Sequence, residues 1–276
     1  MLIPKFIYQT CPDKTKLHPK FIQNIDFIKS LNPDWEYRLF DHHDRREFIE
    51  KHYSIDYLRA YDSLQSDYGA AKADFFRYLL IYELGGVYID LKSRPNLPLS
   101  NVIQTDDAYI LSEWDNDKDG EFPGAGCWKK YGVLSEYQQW HVMAMPKHPF
   151  LKAVIDQVKS NIENYDPFKF GFGRIGTLRT TGPIPYTLSI KPVQEEYPHR
   201  KVQIKDLGVQ YSIFVDDINA HRQMIGSGYA TTKQLLVKVS LVKEVIYKAF
   251  MLFKATLKNL EKVTIRPLAR QVKKLF

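Results

Sequence analysis

Several features that mark other classes of protein are missing from this 276-residue chain, including internal repeats and low-complexity segments. Its two cysteines, Cys11 and Cys127, lie far apart and lack companions at the spacing of a zinc site, so we expect reduced thiols. No run of about 18 uncharged apolar residues occurs, which argues against a transmembrane helix. Residues 1–5 show no basic region followed by a long apolar stretch, so we expect neither a signal peptide nor an N-terminal anchor and predict a cytoplasmic protein.

The net charge of +7 does not indicate a nucleic-acid-binding surface, because the excess lies in one segment. Residues 231–276 contain nine Lys and two Arg against two Glu, whereas residues 1–230 contain 28 basic and 30 acidic side chains. A basic platform for nucleic acid would need its charge on the body of the protein. We therefore expect no nucleic-acid partner.

Composition and periodicity predict one globular domain of the mixed α/β class. The chain is 44% hydrophobic and 14% aromatic, which is enough to bury one large core. Strand-like and helix-like segments alternate along it, as they do in α/β folds. The predicted strands are Phe6–Gln9, Glu36–Phe40 and Ala108–Glu113, and the predicted helices are Pro19–Leu31, Asp44–His52, Asp56–Tyr61 and Pro146–Ser160.

The segment Lys72–Lys92 is the most informative part of the chain. Ala73–Leu84 has the apolar pattern of a largely buried helix. Asp74 and Arg77 stand three residues apart and therefore share one side of that helix. They form either an ordinary surface ion pair or two groups of a binding site.

A short strand follows this helix, and a carboxylate, that of Asp90, stands at the end of the strand. Gly85 and Gly86 end the helix, and Val87–Ile89 reads as a short buried strand. Asp90 follows, at the position where open α/β sheets place their ligand chemistry. Alone, Asp90 could be a helix cap or a strand-end charge. Together with the helix, it predicts a carboxylate and an arginine converging on one crevice.

This segment resembles the glycosyltransferases that carry the sugar-binding region with a DXD motif, glycosyltransferase family 32, which includes initiating α-mannosyltransferases of yeast and many capsule and lipopolysaccharide transferases. More distantly, it is similar to the glucosylating bacterial toxins. The resemblance covers roughly residues 1–230 in family order. Its further matches are Ile3–Thr10, Asn32–Asp41, His148–Leu151, Thr181–Pro183, and His221 before Gly226 and Ser227.

The resemblance implies a GT-A-like, Rossmann-like sheet flanked by helices and a hexosyltransferase that uses a nucleotide diphosphate sugar, UDP-hexose or GDP-mannose. It further implies a glycan or lipid-linked acceptor, retention at the anomeric carbon, and a role in polysaccharide, lipopolysaccharide or glycolipid synthesis. The implied catalytic residues are Arg77, Asp90 and Lys92. The implied donor-binding residues are Gln9, Thr10, Asp74, Arg77, Gly86, Tyr88 and Asp90, and the implied acceptor or rim residues are Trp114, Asp115, Thr181, Gly182 and His221.

The motif departs from the family at one position, because Asp90-Leu91-Lys92 stands where Asp-x-Asp is usual. Two carboxylates would hold Mn²⁺ or Mg²⁺ against the donor diphosphate. Lys92 could supply a positive charge directly. Alternatively, a metal could be held by Asp90 with a late residue, for which His221, Asp216 and Asp217 are candidates.

Residues 231–276 are predicted to form a basic amphipathic tail next to a catalytic domain of residues 1–230. Its apolar residues recur at steps of three and four, and lysines border that face, which is typical of a helix in an anionic membrane interface. Alternatively, the face packs on the catalytic domain or on another copy of the chain. The apolar positions are Leu235, Val239, Val242, Ile246, Phe250, Phe253, Leu257 and Leu260.

Two further classes of function stay open at this point. A divergent member could bind nucleotide sugar without transferring it, and Lys92 favours this alternative. A peripheral membrane adaptor could use the tail and no site, which Asp74 and Arg77 argue against. We expect an enzyme that works on the cytoplasmic face of a membrane.

Overall fold

The computed structural model describes residues 1–214, 224, 232 and 234–260, and strands and helices alternate along the chain. The strands are β1 (Phe6–Thr10), β2 (Glu36–Phe40), β3 (Gly86–Ile89), β4 (Arg94–Pro95), β5 (Tyr109–Glu113), β6 (His141–Ala144), β7 (Arg200–Gln203) and β8 (Val209–Gln210). The helices are α1 (Pro19–Leu31), α2 (His42–His52), α3 (Ile55–Ser63), α4 (Gly69–Leu84), α5 (Leu99–Val102), α6 (Pro149–Glu163), α7 (Pro167–Phe170), α8 (Gly173–Thr180), α9 (Pro183–Ile190) and α10 (Leu241–Leu260). The predicted mixed α/β class is confirmed.

Six strands form one mixed sheet in the order β2-β1-β3-β6-β5-β7, and β4 pairs with β8 in a separate two-stranded ribbon. β1 runs parallel to both β2 and β3, whereas β6 is antiparallel to β3 and to β5. The carboxyl ends of β1, β2, β3 and β5 therefore lie at the same edge as the amino end of β6. The loops that follow or precede those ends meet at one crevice.

Side-chain alternation along β3 sets which groups face α4. Val87 and Ile89 pack into a core on one face of the sheet, and Tyr88 packs into a second core on the other face with Phe76 of α4. Asp90 continues the alternation on the side of Tyr88. The period of the strand thus places the carboxylate on the same side of the sheet as α4.

Gly85 and Gly86 make the tight turn between α4 and β3. Gly85 ends the helix with φ of 66°, and Gly86 has φ of 99°. A Cβ atom on Gly86 would lie 2.9 Å from the backbone oxygen of Phe6. Only glycine combines this backbone conformation with so close an approach to β1.

The tail prediction was wrong in its first residues. Leu235, Leu236 and Val237 are not helical: they are buried in the core next to α4, and Val237 forms a β-bridge with Leu64. The helix begins only at Leu241. Residues 261–276 lie outside the described residues, and the boundary at residue 230 stays a prediction.

Helix α10 packs on the body through one side and presents apolar side chains on the other. Tyr247 is buried, with its ring 5.1 Å from that of Phe168. The outward side chains are exposed, among them those of Val242, Ile246 and Phe253. In the described part of the chain, no helix has the length and apolar content needed to cross a membrane.

Candidate active site

The crevice at the strand ends contains a chain of alternating charges. Arg77 Nη2 lies 3.2 Å from Asp74 Oδ1 and 3.0 Å from Asp90 Oδ1. On its other side, Asp90 Oδ2 lies 3.4 Å from Lys92 Nζ. One turn of α4 and the residues after β3 therefore meet as the sequence predicts, and all four groups line a cavity of about 1480 Å³.

The Asp74–Arg77 pair is buried, so the surface-pair alternative is wrong. The Arg77 and Asp74 side chains are only 4% and 6% exposed. Asp74 also accepts hydrogen bonds from Thr181 Oγ1 at 3.0 Å and from Gln139 Nε2 at 3.2 Å. Arg77 donates to the backbone oxygen of Gln139 at 2.5 Å. Both groups are held by partners from other elements, which fixes their positions before any ligand binds.

Asp90 is held by a second set of donors. Tyr88 donates its hydroxyl to Asp90 Oδ1 at 3.2 Å and lies 2.9 Å from Thr10 Oγ1. Gln9 donates to the backbone oxygen of Asp90 at 3.0 Å. These contacts join the ends of β1 and β3, which are adjacent strands in the sheet.

Burial and charge act in opposite directions on the acidic groups. Burial raises the pKa of Asp74 to about 6, and this effect outweighs the nearby charge of Arg77. Burial also acts to raise the pKa of Asp90, but the charges of Arg77 and Lys92 hold it below the ordinary value. The same cluster therefore contains one carboxylate that titrates near pH 6 and one that stays ionised.

The predicted site residues do not all lie on the cavity wall. Thr10, Tyr88, Trp114 and Gly182 line it, in addition to the four charged residues. Gln9 and Thr181 lie behind the wall and support Asp90 and Asp74. The structure thus brings these residues together, some on the cavity wall and others as hydrogen-bonding supports behind it.

Two predicted residues are placed elsewhere. Gly86 begins β3, at the opposite end from Asp90, and its role is the close approach to Phe6 rather than donor contact. Asp115 is not among the cavity-lining residues, and its carboxylate accepts a hydrogen bond from the Glu121 amide at 3.4 Å. His221, Asp216 and Asp217 lie outside the described residues.

Sequence reasoning named Trp114 as a rim residue but missed the aromatic wall to which it belongs, formed by Trp114, Trp128 and Tyr211. Glu136 accepts hydrogen bonds from the indole nitrogens of Trp114 at 2.7 Å and Trp128 at 2.5 Å, and all three residues line the cavity. Tyr211 packs its ring edge-on against Trp114, with the centroids 5.0 Å apart. No local pattern signals this arrangement, because residues 114–136 form a loop whose partners are set by the order of the strands.

The residues around Gln139 were missed for a similar reason. Gln139 and Trp140 immediately precede β6, which is inserted antiparallel between β3 and β5. His141 begins that strand in a fully buried position, and burial lowers its pKa to about 3. It is therefore a neutral neighbour of Asp90. Only knowledge of the strand order could have placed this segment beside α4.

The chain is similar to known glycosyltransferases. Residues 19–110 match the glycosyltransferase sugar-binding region containing DXD motif. The inositol phosphoceramide mannosyltransferase 3 of Schizosaccharomyces pombe is 29% identical over 195 residues, which are 66% of this chain and 43% of the relative. The initiation-specific alpha-1,6-mannosyltransferase of Candida albicans is 25% identical over 166 residues, 56% of this chain and 42% of the relative. The chain thus spans less than half the length of these curated relatives.

A solved structure supports the fold. The PaToxG glycosyltransferase superposes with a TM-score of 0.50 at 14% identity, over 88% of this chain and 83% of that chain. The GT-A-like architecture predicted for the sheet and its helices is confirmed. Residues 19–110, which run from α1 to the start of β5 and include Asp74, Arg77 and Asp90, thus match the model of the glycosyltransferase sugar-binding region containing DXD motif, and the resemblance seen in the sequence is confirmed.

Proposed function

We propose that this protein is a glycosyltransferase that moves a hexose from a nucleotide diphosphate sugar to a glycan or lipid-linked acceptor. The observation that carries this proposal is the buried Asp74–Arg77–Asp90 chain at the strand ends of a matched sugar-binding region. Carboxylates suit sugar and ribose hydroxyls, and a guanidinium suits hydroxyls or phosphate. The two relatives named above are mannosyltransferases, which makes GDP-mannose the first donor to test, before the UDP-hexoses.

The proposed reaction retains the anomeric configuration without a carboxylate nucleophile. Both oxygens of Asp90 face cations, and Asp74 is buried against Thr181 and Gln139. These partners lower the nucleophilicity of both carboxylates towards the anomeric carbon. In the proposed step the bond from that carbon to the phosphate oxygen breaks as the acceptor hydroxyl attacks from the same face, and the departing phosphate takes the hydroxyl proton.

The aromatic wall is the proposed acceptor side of the cavity. Trp114, Trp128 and Tyr211 line it, and the Tyr211 ring also contacts the ammonium of Lys92. Indole and phenol rings pack well against the apolar faces of sugar rings, and Glu136 locks both indoles in place. The apolar faces of an acceptor would thus lie next to the charged groups that hold the donor.

A thermal-shift and turnover screen tests the proposed function. The protein is heated with GDP-mannose, UDP-glucose, UDP-galactose, UDP-GlcNAc or UDP-GalNAc, since a ligand at 100 times its Kd stabilises by about 2.7 kcal/mol. We expect one donor to raise the midpoint and to be hydrolysed slowly or transferred to an acceptor. Binding without turnover would indicate a nucleotide-sugar-binding protein, and no binding would refute the proposal. Arg77→Met serves as the site control.

We also propose that α10 docks on an anionic membrane surface. Its outward side chains are large and apolar, and the surrounding segment of residues 231–276 is strongly basic. Each Lys or Arg near such a surface contributes about 1 kcal/mol. That the protein docks on the cytoplasmic face of this membrane stays a prediction.

Point variants test this docking better than truncation. Removing residues 231–276 would also remove the core residues Leu235–Val237. The double variant Ile246→Gln, Phe253→Gln should keep the fold, because both side chains are exposed. We expect it to bind phosphatidylserine vesicles at least tenfold more weakly, because each apolar side chain that the membrane would bury contributes about 1.5–3 kcal/mol. Ile55→Gln, at an exposed position on α3, is the control. Unchanged vesicle binding, or loss of self-association instead, would refute membrane docking.

A further inference from the structure

The described residues do not fit a divalent cation at the motif. The DXD motif of the matched region implies two carboxylates, which would hold Mn²⁺ or Mg²⁺, but here the second is Lys92. Both oxygens of the remaining carboxylate are already engaged, Oδ1 of Asp90 by Arg77 at 3.0 Å and Oδ2 by Lys92 at 3.4 Å. Among residues 1–214, 224, 232 and 234–260, no cluster of three or more His, Cys, Asp or Glu side chains could hold a metal ion.

The side chain of Lys92 is held in a fixed position, as a positive charge that replaces a metal ion would have to be. Its side chain is 7% exposed, and its Nζ lies 3.6 Å from the centre of the Tyr211 ring. A cation over a phenol ring is stabilised by the negative face of the ring. The backbone oxygen of Lys92 accepts a hydrogen bond from the Ile213 amide at 2.8 Å, and the Ser93 hydroxyl donates to the backbone oxygen of Tyr211 at 2.6 Å. Carboxylate, ring and backbone together fix the ammonium at the cavity wall.

The exchange of residue type also reproduces the charge of the missing ion. Replacing a carboxylate by an ammonium changes the local charge by the same amount as adding one divalent cation. The charges of Asp74, Arg77, Asp90 and Lys92 cancel without a metal. The negative charge of a bound diphosphate would then be met by cations of the cavity wall, among them Arg77 and Lys92.

We propose that Lys92, together with Arg77, takes the place of the divalent cation, so that the protein binds its nucleotide diphosphate without a metal. This inference rests on the proposed glycosyltransferase function. Lys92 forms no covalent bond: its ammonium donates hydrogen bonds to the phosphate oxygens. When the bond between the anomeric carbon and the phosphate oxygen breaks, the electron pair stays on that oxygen, and Lys92 and Arg77 stabilise the added charge.

Calorimetric binding of GDP and UDP to the intact chain tests this proposal. We expect the same Kd in EDTA and in Mn²⁺, and a roughly 10- to 100-fold weaker Kd for Lys92→Met in both buffers, since a hydrogen bond to a charged group is lost. Lys159→Met is the matched control, because Lys159 also pairs with a carboxylate and lies over a Tyr ring, but outside the cavity. Circular dichroism and the unfolding midpoint show that each variant is folded.

A restored motif gives a second, independent readout. Lys92→Asp is expected to bind nucleotide diphosphate only when Mn²⁺ is present, and electron paramagnetic resonance should detect bound Mn²⁺ in this variant and not in the parent. A parent that needs Mn²⁺ to bind nucleotide would overturn the proposal and leave the proposed function intact. In that case loss of the Mn²⁺ signal in His221→Ala would identify the alternative ligand. Failure of both nucleotides to bind in any buffer would instead refute the proposed function.

Discussion

Replacement of Arg77 by methionine is the most direct test of the buried charge chain. The change keeps the length of the side chain and removes its charge. Asp74 and Asp90 would both lose the cation that lies within 3.2 Å of them, and the backbone oxygen of Gln139 would lose a donor. A buried carboxylate without its partner is costly, so this variant should lose stability as well as activity.

The expected loss is large because the pair is desolvated. Breaking a buried ion pair by removing one partner costs about 3–5 kcal/mol. At about 2–4 °C per kcal/mol for a protein of this size, the unfolding midpoint should fall by roughly 6–20 °C. Arg59→Met is a matched control, because Arg59 pairs with Asp56 at the same spacing of three, but their side chains are 73% and 59% exposed. That exposed pair should contribute only about 0.2–0.5 kcal/mol.

Chemical and thermal unfolding at two pH values measure the effect. With Arg77 gone, the pKa of Asp74 should rise further above its ordinary value, so the folded state favours the protonated acid more strongly. The destabilisation should therefore be smaller near pH 5 and larger near pH 8. If the free energy of unfolding of the variant lies within about 1 kcal/mol of the parent's at both pH values, the carboxylates do not depend on Arg77, because an unpaired buried charge should cost more than that.

Three further predictions concern Asp74, the aromatic wall and the glycine turn. Because burial raises the pKa of Asp74 to about 6, kcat/KM should fall as pH drops through 6, and Asp74→Asn should abolish that limb. The raised pKa stabilises the folded state at low pH, and this contribution is lost as pH rises through 6. The free energy of unfolding of the parent should therefore fall over that range, and that of Asp74→Asn should not. Glu136→Gln should raise the KM for acceptor with little change in donor Kd, because one amide oxygen cannot hold both indoles; equal changes in both constants would refute the acceptor role of the indoles. Gly86→Ala should lower the free energy of unfolding by about 1–3 kcal/mol, whereas Gly69→Ala, with open space around it, should not; equal midpoints would contradict the turn argument.

The elements were the most predictable part of the fold. Glu36–Phe40 forms a strand within its predicted bounds, and α1 spans Pro19–Leu31 as predicted. Such elements are set by local apolar periodicity and by caps such as His18, whose side chain accepts a hydrogen bond from the Lys20 amide. The same kind of local signal failed at Leu235, where three- and four-residue spacing continued although the chain packs as an extended segment in the core. Tertiary burial overrode periodicity there.

By itself, the sequence determined the helix before the glycine turn, the strand after it, and the carboxylate and arginine that would approach each other. These follow from covalent spacing, because residues three apart on a helix and two apart on a strand share a side whatever surrounds them. Only the tertiary structure decided that Asp74 and Arg77 are buried, that Lys92 lies against Tyr211, and that Glu136 fastens the aromatic wall. Those contacts join residues distant in sequence, and they depend on which strands pair and which surfaces lose water. No local pattern encodes that information.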